Sequence, residues 1–412
     1  MSAIAEPVTV PVTDDRLARR NALVLAAAQA LAGGNAAVIF GSAGIIGTML
    51  APDKAYATVP ITTYVIGLWM GTLPVGAIAR RYGRLAAFEA GVLCGMLAGL
   101  ICATGVILGS FALVCLGTAF GGLYAAAHQS YRFAAADTAS DSFKPKAISW
   151  VLTGGVLAGI FGPQLIILTK DVLPHYLFAA SYLAQAVVAI IAGLVLLLVR
   201  FPGSARTTGR AGGRPLAVLF RQPRLIAAVI CGLASYAMMN LVMTSAPVAM
   251  IDCNHSVNDA ALGLQWHVMA MYAPSFLSGT LIGRFGVGRM IAAGLITIAA
   301  SAVVGLTGTS VAHFWIALIL LGVGWNLGFI GATAMVTECH RPEERTRVQS
   351  VNDFLIFGSM AVGSFLSGQL LAKFGWAMVN EVVLAFIFVA ALLALWLSAM
   401  APRQAAGPEA VG

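Results

Sequence analysis

Charged residues are scarce in this 412-residue chain, where Asp, Glu, Lys and Arg together make up 10% of the sequence. Hydrophobic residues account for 59%, and the mean hydropathy is +0.89. A soluble fold of this length needs a polar surface that such a composition does not supply. The composition therefore excludes a soluble globular protein and indicates a chain that spans a lipid bilayer.

The chain also lacks the residue groupings that mark several other classes of protein. Its six cysteines form no CxxC pair, and most of them lie inside apolar stretches, so we expect neither disulfides nor a metal site. The net charge of +8 comes from basic residues scattered between apolar runs, which argues against a nucleic-acid partner. Paired carboxylates, a serine with a base and a histidine cluster at one depth are missing from the apolar stretches. We therefore expect a protein that is not an enzyme and that needs no cofactor.

Apolar stretches long enough to cross a bilayer as helices recur twelve times along the chain. They cover residues 22–50, 59–79, 85–108, 111–131, 147–168, 176–199, 225–249, 264–282, 290–307, 312–338, 348–371 and 382–400. A stretch rich in Gly, Arg and Pro separates the sixth from the seventh. The sequence thus predicts an all-α membrane protein with a tail at 1–21, a six-helix bundle at 22–199, a linker at 200–223, a second six-helix bundle at 224–400 and a tail at 401–412.

Basic residues are distributed unevenly between the two sides of the predicted membrane segments. The tails and loops predicted for one side hold 21 of the 24 Lys and Arg residues, and the loops of the other side hold only Lys54, Lys170 and Lys373. Positively charged loops stay in the cytoplasm. The distribution therefore predicts a multi-pass protein of a bacterial inner membrane, with both termini and the linker in the cytoplasm.

The two halves of the chain repeat each other. The glycine-marked basic turn 76–84, between the second and third segments, recurs at 279–286, 203 residues later. Asn35 in the first segment matches Asn240 in the seventh at an offset of 205. The fifth segment carries glycines that predict close packing on a helix of the other half, namely Gly154, Gly155, Gly159 and Gly162. Parallel repeats of six helices are one architecture of alternating-access transporters, in which the substrate binds between the repeats.

The turn between the second and third segments carries a resemblance to the major facilitator superfamily, the twelve-helix secondary transporters. The glycines and basic residues of the family pattern are matched by Gly76, Arg81, Gly83 and Arg84. The acidic residue of that pattern is replaced by Arg80 here and by Gly283 in the second copy. The resemblance extends over essentially the whole chain, and it implies a fold of two six-helix halves.

In this family the acid of the turn is thought to latch it to the start of helix 11, so the altered turn needs another partner. Asp353 lies about one and a half turns into the eleventh segment. Together with Asp353, the predicted gate between the halves comprises the basic residues Arg80, Arg81, Arg84 and Arg284. We expect Asp353 to pair with Arg80 or Arg81 when the cavity faces outward. A local contact with Arg347 or with a helix start is the alternative, because acids favour helix N-termini.

The resemblance implies that helices 1, 4, 7 and 10 line the cavity. Near the middle of the corresponding segments lie the predicted substrate-binding residues Asn35, Tyr124, Tyr236, Asn240, Trp325 and Asn326. Amides, phenols and an indole, without a charged residue at the same depth, suit a small neutral or amphipathic organic solute. The alternative for each residue is a hydrogen bond to a neighbouring helix, which is common in membrane bundles.

His128 is the candidate for carrying a coupling proton, because it is the histidine well inside a cavity-lining segment. A hydrogen bond to a neighbouring helix is again the alternative. The resemblance implies alternating-access transport by a monomer in the bilayer. Proton-coupled uptake of a vitamin such as riboflavin, or of an aromatic metabolite, is one option. An efflux pump for drugs or metabolites and a sensor or passive facilitator on the same fold are the others.

Overall fold

The computed structural model describes residues 15–137, 139–140, 142–201 and 213–400, and twelve long helices follow one another within them. In the first half they are α1 (Asp15–Leu50), α2 (Val59–Tyr82), α3 (Arg84–Ile107), α4 (Phe111–His128), α5 (Lys144–Thr169) and α6 (Ala179–Leu196). In the second half they are α7 (Pro223–Asp252), α8 (Val257–Tyr272 and Ser275–Phe285), α9 (Val287–Thr307), α10 (Val311–Glu338), α11 (345–374) and α12 (376–400). The prediction of an all-α membrane protein of twelve helices is confirmed.

Two interruptions explain why only ten helices of the described residues qualify as membrane spans by length and hydropathy. Residues Arg345–Met400 run as one helix except at Gly375, whose φ of 78° separates α11 from α12. Helix α8 is divided at Ala273 and Pro274 into pieces of 16 and 11 residues, each shorter than a span. Proline lacks the N–H that would continue the helix at this point.

Helix α1 begins at Asp15, earlier than the predicted start at residue 22, because contacts with other segments hold its first turns. The Asp15 carboxylate accepts hydrogen bonds of 2.9 Å from both the backbone N–H and the hydroxyl of Ser140. The Asn21 amide donates to the carbonyl of Arg200 at 2.8 Å and accepts from its N–H at 3.1 Å. We call the end of the bundle at which α1 begins the terminal end and the opposite end the far end.

Helix packing follows the repeat. Within the first half, α1 packs on α5 and α4 packs on both α2 and α3; within the second, α7 packs on α11 and α10 packs on both α8 and α9. The halves meet where α2 packs on α11 and where α5 packs on α8. Helix α8 is the repeat of α2, and α11 is the repeat of α5. The contact of α2 with α11 is therefore equivalent to the contact of α8 with α5.

The glycines of α5 allow these close contacts. A Cβ at Gly155 would lie 3.1 Å from the ring of Tyr272, and one at Gly159 would lie 2.9 Å from the side chain of Val268, both on α8 of the other half. Gly154 and Gly162 instead face α1 of the same half, where a Cβ at Gly154 would lie 2.2 Å from the carbonyl oxygen of Ala26. The predicted close approach to the other half thus holds for two of the four glycines.

The hydrogen bonds described between the halves lie toward the far end. Thr58 donates to the Ser364 carbonyl at 2.9 Å, and the Gln369 amide donates to the Ala55 carbonyl at 3.0 Å. On the other side of the bundle, the Gln164 amide donates to Gln265 at 2.8 Å.

Toward the terminal end the surroundings of the same helices are open. Gly279 and Gly283 of α8 have no neighbouring side chain or other helix within 4 Å of a Cβ position. Leu73 of α2 is 79% exposed. The space between the halves is therefore a cleft that is closed at the far end and open at the terminal end.

Candidate substrate-binding cleft

Aromatic side chains of the second half gather at the closed end of the cleft, and we call them the aromatic cluster: Tyr236 of α7, Tyr272 of α8, Trp325 and Phe329 of α10, and Phe357 of α11. The Tyr236 ring stands nearly perpendicular to Trp325 and to Phe329, with centroid distances of 5.2 Å and 4.8 Å. Trp325 and Phe329 are stacked, 5.2 Å apart with an interplanar angle of 17°. Rings in these orientations favour a flat aromatic ligand, which can stack on a ring face or pack against a ring edge.

The aromatic cluster lies at the boundary between the halves. The Tyr272 ring lies against Gly155 of α5, which belongs to the other half. Beside it, Trp69 of α2 packs on Phe354 of α11, with ring centroids 4.8 Å apart. A ligand held by the cluster would therefore touch both halves, which alternating access requires.

The sequence of α10 explains why its aromatic residues face the cleft. Gly324 and Gly328 lie one turn apart and allow α10 to approach α9 closely, where a Cβ at Gly294 would lie 2.2 Å from the Gly328 nitrogen. Trp325 and Phe329 follow each of these glycines and share the neighbouring face of the helix. The indole N–H of Trp325 is buried and has no hydrogen-bond partner, so it is free to donate to a ligand.

Asn326 and Asn240 are bonded to neighbouring helices. The Asn326 amide donates to the Met271 carbonyl at 2.6 Å and to the Ser275 hydroxyl at 2.7 Å, and its oxygen accepts from Ser278 at 2.8 Å. These bonds span the interruption of α8, where backbone groups released by the break need partners. The Asn240 amide donates to the Met360 carbonyl of α11 at 2.9 Å, which leaves its oxygen buried without a partner.

Asn35 and Tyr124 are the two predicted binding residues of the first half. Asn35 is buried, and neither atom of its amide has a hydrogen-bond partner. Tyr124 is 1% exposed, and its ring packs on α3, where a Cβ at Gly95 would lie 2.4 Å from it. The structure thus places Tyr124 between helices of the first half, away from the aromatic cluster.

His128 lies at the end of α4 in the interior of the first half. Its Nδ1 is 3.4 Å from the amide nitrogen of Gln29 on α1, and its Nε2 is buried without a partner. The rings of Tyr124 and Tyr131 lie edge-on to it, with centroids 6.0 Å and 6.3 Å away. Because the Gln29 amide nitrogen donates, Nδ1 is the acceptor of this contact, and the N–H of the neutral ring lies on Nε2.

The predicted gate residues lie at the terminal end. Arg84 forms a two-point ion pair with Asp137, at 2.5 Å and 3.0 Å. Arg80, Arg81 and Arg284 are exposed, and the guanidinium groups of Arg81 and Arg284 lie over the rings of the residues that follow them. Asp353 accepts a hydrogen bond from the Asn352 amide at 3.4 Å.

Sequence reasoning missed several residues that the structure brings to the cleft. These are Tyr272, Phe329 and Phe357. The signal for Phe329 was its position one turn after Trp325, and the signal for Tyr272 was the Ala-Pro break that follows it.

Comparison with known proteins agrees with this architecture. The riboflavin transporter RfnT of Brucella anthropi is 47% identical over 396 residues, which cover 96% of this chain and 99% of RfnT. The uncharacterized MFS-type transporter YddS of Bacillus subtilis is 28% identical over 371 residues, covering 83% of this chain and 84% of YddS.

Solved structures share the fold at low sequence identity. A mutant of the nucleoside transporter NupG superposes with a TM-score of 0.72 at 14% identity, covering 92% of this chain and 99% of NupG. The xylose transporter XylE from E. coli superposes with a TM-score of 0.71 at 12% identity, covering 94% and 98%. The model of the Major Facilitator Superfamily matches residues 25–274 and 228–411. The chain therefore belongs to the major facilitator superfamily and is a multi-pass membrane transporter of a small-molecule solute.

Proposed function

We propose that this transporter carries riboflavin, or a flat heteroaromatic solute similar to it, into the cell. The observation that carries the proposal is the aromatic cluster at the boundary of the two halves, with Trp325 stacked on Phe329 and Tyr236 perpendicular to both. Riboflavin combines a flat ring system with a hydroxylated chain. The relative RfnT, 47% identical along nearly its whole length, is named a riboflavin transporter.

Unpartnered polar atoms of the predicted binding residues suit the hydroxylated part of such a solute. The indole N–H of Trp325, the amide oxygen of Asn240 and both amide atoms of Asn35 are buried without protein partners. A buried polar atom without a partner is costly, so a ligand that supplies the missing hydrogen bonds gains affinity. We propose that Tyr236, Trp325, Asn240 and Asn35 contact the solute. Asn326 and Tyr124 contact neighbouring helices, and we propose that they hold the helices around the cleft in place instead of contacting the solute.

We propose that the protein lies in the bacterial inner membrane as a monomer, with both termini in the cytoplasm and with bundles at 22–199 and 224–400 joined by the cytoplasmic linker 200–223. The supporting observation is the 21 to 3 distribution of Lys and Arg between the two sides. In this orientation the cleft opens toward the cytoplasm, which is where an importer releases its solute. We also propose that the protein acts only as a carrier and leaves the solute chemically unchanged.

We propose that uptake is coupled to protons and that His128 takes part. Its Nε2 is buried and unpartnered, and its ring lies between Tyr124 and Tyr131 in the half that moves against the aromatic cluster. Histidine changes charge near physiological pH, so its protonation can differ between two conformations.

We further propose that Asp353 pairs with Arg80 or Arg81 when the cleft closes at the terminal end, with Arg84 and Arg284 in the same gate. Exchanging the charges tests the pairing. Asp353→Arg alone, or Arg80→Asp with Arg81→Asp, should stop transport, and the combined exchange should restore part of it. Transport that stays absent in the combined variant, although the protein is folded, would exclude the pairing.

Transport in proteoliposomes tests the proposed function. With a proton gradient imposed, labelled riboflavin should accumulate above its external concentration, and an uncoupler should abolish the accumulation. Equilibration without accumulation would indicate a passive facilitator, and movement only in the opposite direction an exporter. Absence of riboflavin flux in either direction would contradict the proposal.

A further inference from the structure

We propose that His267 of α8 binds a proton at its Nε2 when the far end opens and releases this proton when the far end closes. The inference deepens the proposed proton coupling and rests on it, but it places a proton-binding residue in the second half, whereas His128 lies in the first. The His267 side chain is completely buried in the described conformation. The hydrogen bonding of its two nitrogens shows which of them is available for a proton.

One hydrogen bond fixes the position of the hydrogen on the neutral His267 ring. Nδ1 lies 2.7 Å from the carbonyl oxygen of Leu318 on α10. A carbonyl oxygen only accepts, so Nδ1 donates and Nε2 keeps a lone pair. This Nε2 is buried and has no hydrogen-bond partner among the described residues. His128 has the opposite arrangement, because its Nδ1 accepts from Gln29, so His267 is the buried histidine whose unpartnered nitrogen is an acceptor.

Close packing of α8 on α10 encloses the His267 ring. A Cβ at Gly263, one turn earlier on α8, would lie 3.0 Å from the Trp315 side chain of α10. A Cβ at Gly322 of α10 would lie 2.6 Å from the His267 carbonyl oxygen. The ring is therefore held between two points at which the helices touch, and a hydrogen added at Nε2 would find no acceptor in this conformation.

The helices packed around His267 also carry no charge that would stabilise a protonated ring. Asp, Glu, Lys and Arg are absent from their membrane-spanning parts, which are residues 22–50, 149–168, 225–251, 260–272 and 314–337. The other titratable side chains of these parts are Cys231, Tyr236 and Tyr272, which are neutral at about pH 7. A buried charge without a partner is costly. The described conformation thus offers a protonated His267 neither an acceptor nor a counter-charge.

The part of α8 that carries His267 also holds a far-end contact between the halves. Gln265 accepts the 2.8 Å hydrogen bond from Gln164 of α5, and Val268 lies against Gly159 of the same helix. When the far end opens, these contacts separate and water reaches this part of α8, where it supplies the proton and an acceptor for the new N–H. The proton leaves to water of the cleft as the contacts form again. Protonation therefore favours the conformation that is open at the far end, because a ligand stabilises the state that binds it more tightly.

Opening of the far end at different pH values tests the inference without any solute. Spin labels at Lys54→Cys and Lys373→Cys, which are exposed beside the contact of Ala55 with Gln369, report the distance across the far end. The measurement is double electron–electron resonance on the full-length protein without native cysteines, in lipid nanodiscs. From about pH 8 to about pH 5.5 the ratio of open to closed protein should rise about fivefold or more, which is the lower limit of typical coupling between two sites.

Replacement of His267 by asparagine separates the proton site from the hydrogen bond. The amide of His267→Asn can donate to the Leu318 carbonyl as Nδ1 does, but it has no nitrogen that titrates. Its melting temperature should stay closer to that of wild type than the melting temperature of His267→Ala does. Its ratio of open to closed protein should change less than about twofold over the same pH range. If His267→Asn does not fold, His267→Gln provides the same comparison.

The matched control is His175→Asn. His175 is exposed between α5 and α6 and has a φ of 71°, which asparagine tolerates, so this variant should respond to pH as wild type does. A ratio that stays constant with pH in wild type would overturn the inference. A ratio that rises equally in wild type and in His267→Asn would also overturn it, since His267 would then serve only to join α8 to α10.

The proposed riboflavin transport can fail separately. In proteoliposomes, His267→Asn should exchange labelled for unlabelled riboflavin but should no longer accumulate it in response to a proton gradient. Opening that depends on pH and on His267, in a protein that carries no riboflavin, would exclude this solute and support the proton site. Accumulation of riboflavin by His267→Asn at the wild-type level would support the solute and exclude His267 as a coupling residue.

Discussion

Tyr236 and Trp325 meet at right angles, with ring centroids 5.2 Å apart and an interplanar angle of 88°. They come from α7 and α10, two helices of the second half that the resemblance to the family assigns to the cavity. Tyr236 is fixed further by Phe329 at 4.8 Å and Phe357 at 6.3 Å. An aromatic wall held on several sides needs little reorganisation when a flat ligand binds, which favours affinity.

Replacement of Trp325 tests the role of the aromatic cluster in binding. Trp325→Ala should weaken binding of riboflavin by about 5-fold to 150-fold, the range expected for loss of one aromatic stacking partner. Trp325→Phe should keep much of the affinity. Trp396→Phe is the matched control, because Trp396 lies on the exposed surface of α12. Fluorescence of the flavin itself is the measurement, and equal affinity of Trp325→Ala and wild type would contradict the assignment.

The two asparagines of the repeat should respond differently to replacement by alanine. Asn240→Ala removes the bond to the Met360 carbonyl and should lower the stability of the ligand-free protein by about 1 kcal/mol. Asn35→Ala removes an amide that has no protein partner, so the melting temperature without ligand should stay the same or rise. Both variants should show a smaller thermal shift with riboflavin. A strong loss of stability in Asn35→Ala alone would contradict this assignment.

Much of the fold follows from the sequence, because the thickness of the bilayer dictates the length and hydropathy of every span. Helix α8, like α1, begins earlier than predicted, since its predicted segment began at residue 264 and the helix begins at Val257. The first turns carry polar residues that lower the hydropathy, yet Ser256 and Asp259 form a capping box that starts the helix there. The capping box therefore sets the start of α8, which hydropathy alone places too late in the sequence.

The site was less accessible to prediction, because the face that a helix turns toward a cavity depends on its neighbours. Tyr236 and Trp325 were found as aromatic groups at mid-depth in cavity-lining segments. Tyr124 met the same criterion, but its ring fills the space above Gly91 and Gly95 of α3.

Crosslinking at the far end should lock the transporter in the described conformation. Gln164 and Gln265 join α5 and α8 across the halves by a 2.8 Å hydrogen bond. In a background without native cysteines, Gln164→Cys with Gln265→Cys should lose uptake after treatment with a short bifunctional thiol reagent, because alternating access requires the halves to separate there. Each single variant treated with the same reagent should keep its uptake.

A pair within one half provides the matched control for this crosslink. Thr169 of α5 donates to Ser181 of α6 at 2.8 Å, and both helices belong to the first half. Crosslinked cysteines at these two positions should leave uptake near the uncrosslinked level if each half moves as a unit. Undiminished uptake after complete crosslinking of positions 164 and 265 would mean that the far end does not open during transport.

Glu344, in the loop before α11, should make stability depend on acid pH. Its buried carboxylate accepts hydrogen bonds from the Arg214 side chain at 2.8 Å, from the Arg214 N–H at 2.8 Å and from the Arg341 N–H at 2.9 Å. The bond from the Arg214 side chain is the largest cause that holds the pKa of Glu344 well below its usual 4.5. The charged form is therefore favoured in the folded protein, and it fastens the end of the linker to the second half.

A carboxylate whose folded pKa is depressed contributes stability above its unfolded pKa and loses it as the pH falls through the folded value. Glu344→Gln should therefore melt at a lower temperature than wild type near pH 7, and the difference should stay constant down to about pH 4.5 and narrow only below it. Differential scanning fluorimetry of the purified protein gives both curves. Glu343→Gln, at the exposed neighbouring position, is the control and should follow wild type. A difference that narrows between pH 8 and pH 6 would show that the Glu344 charge is not what stabilises the loop.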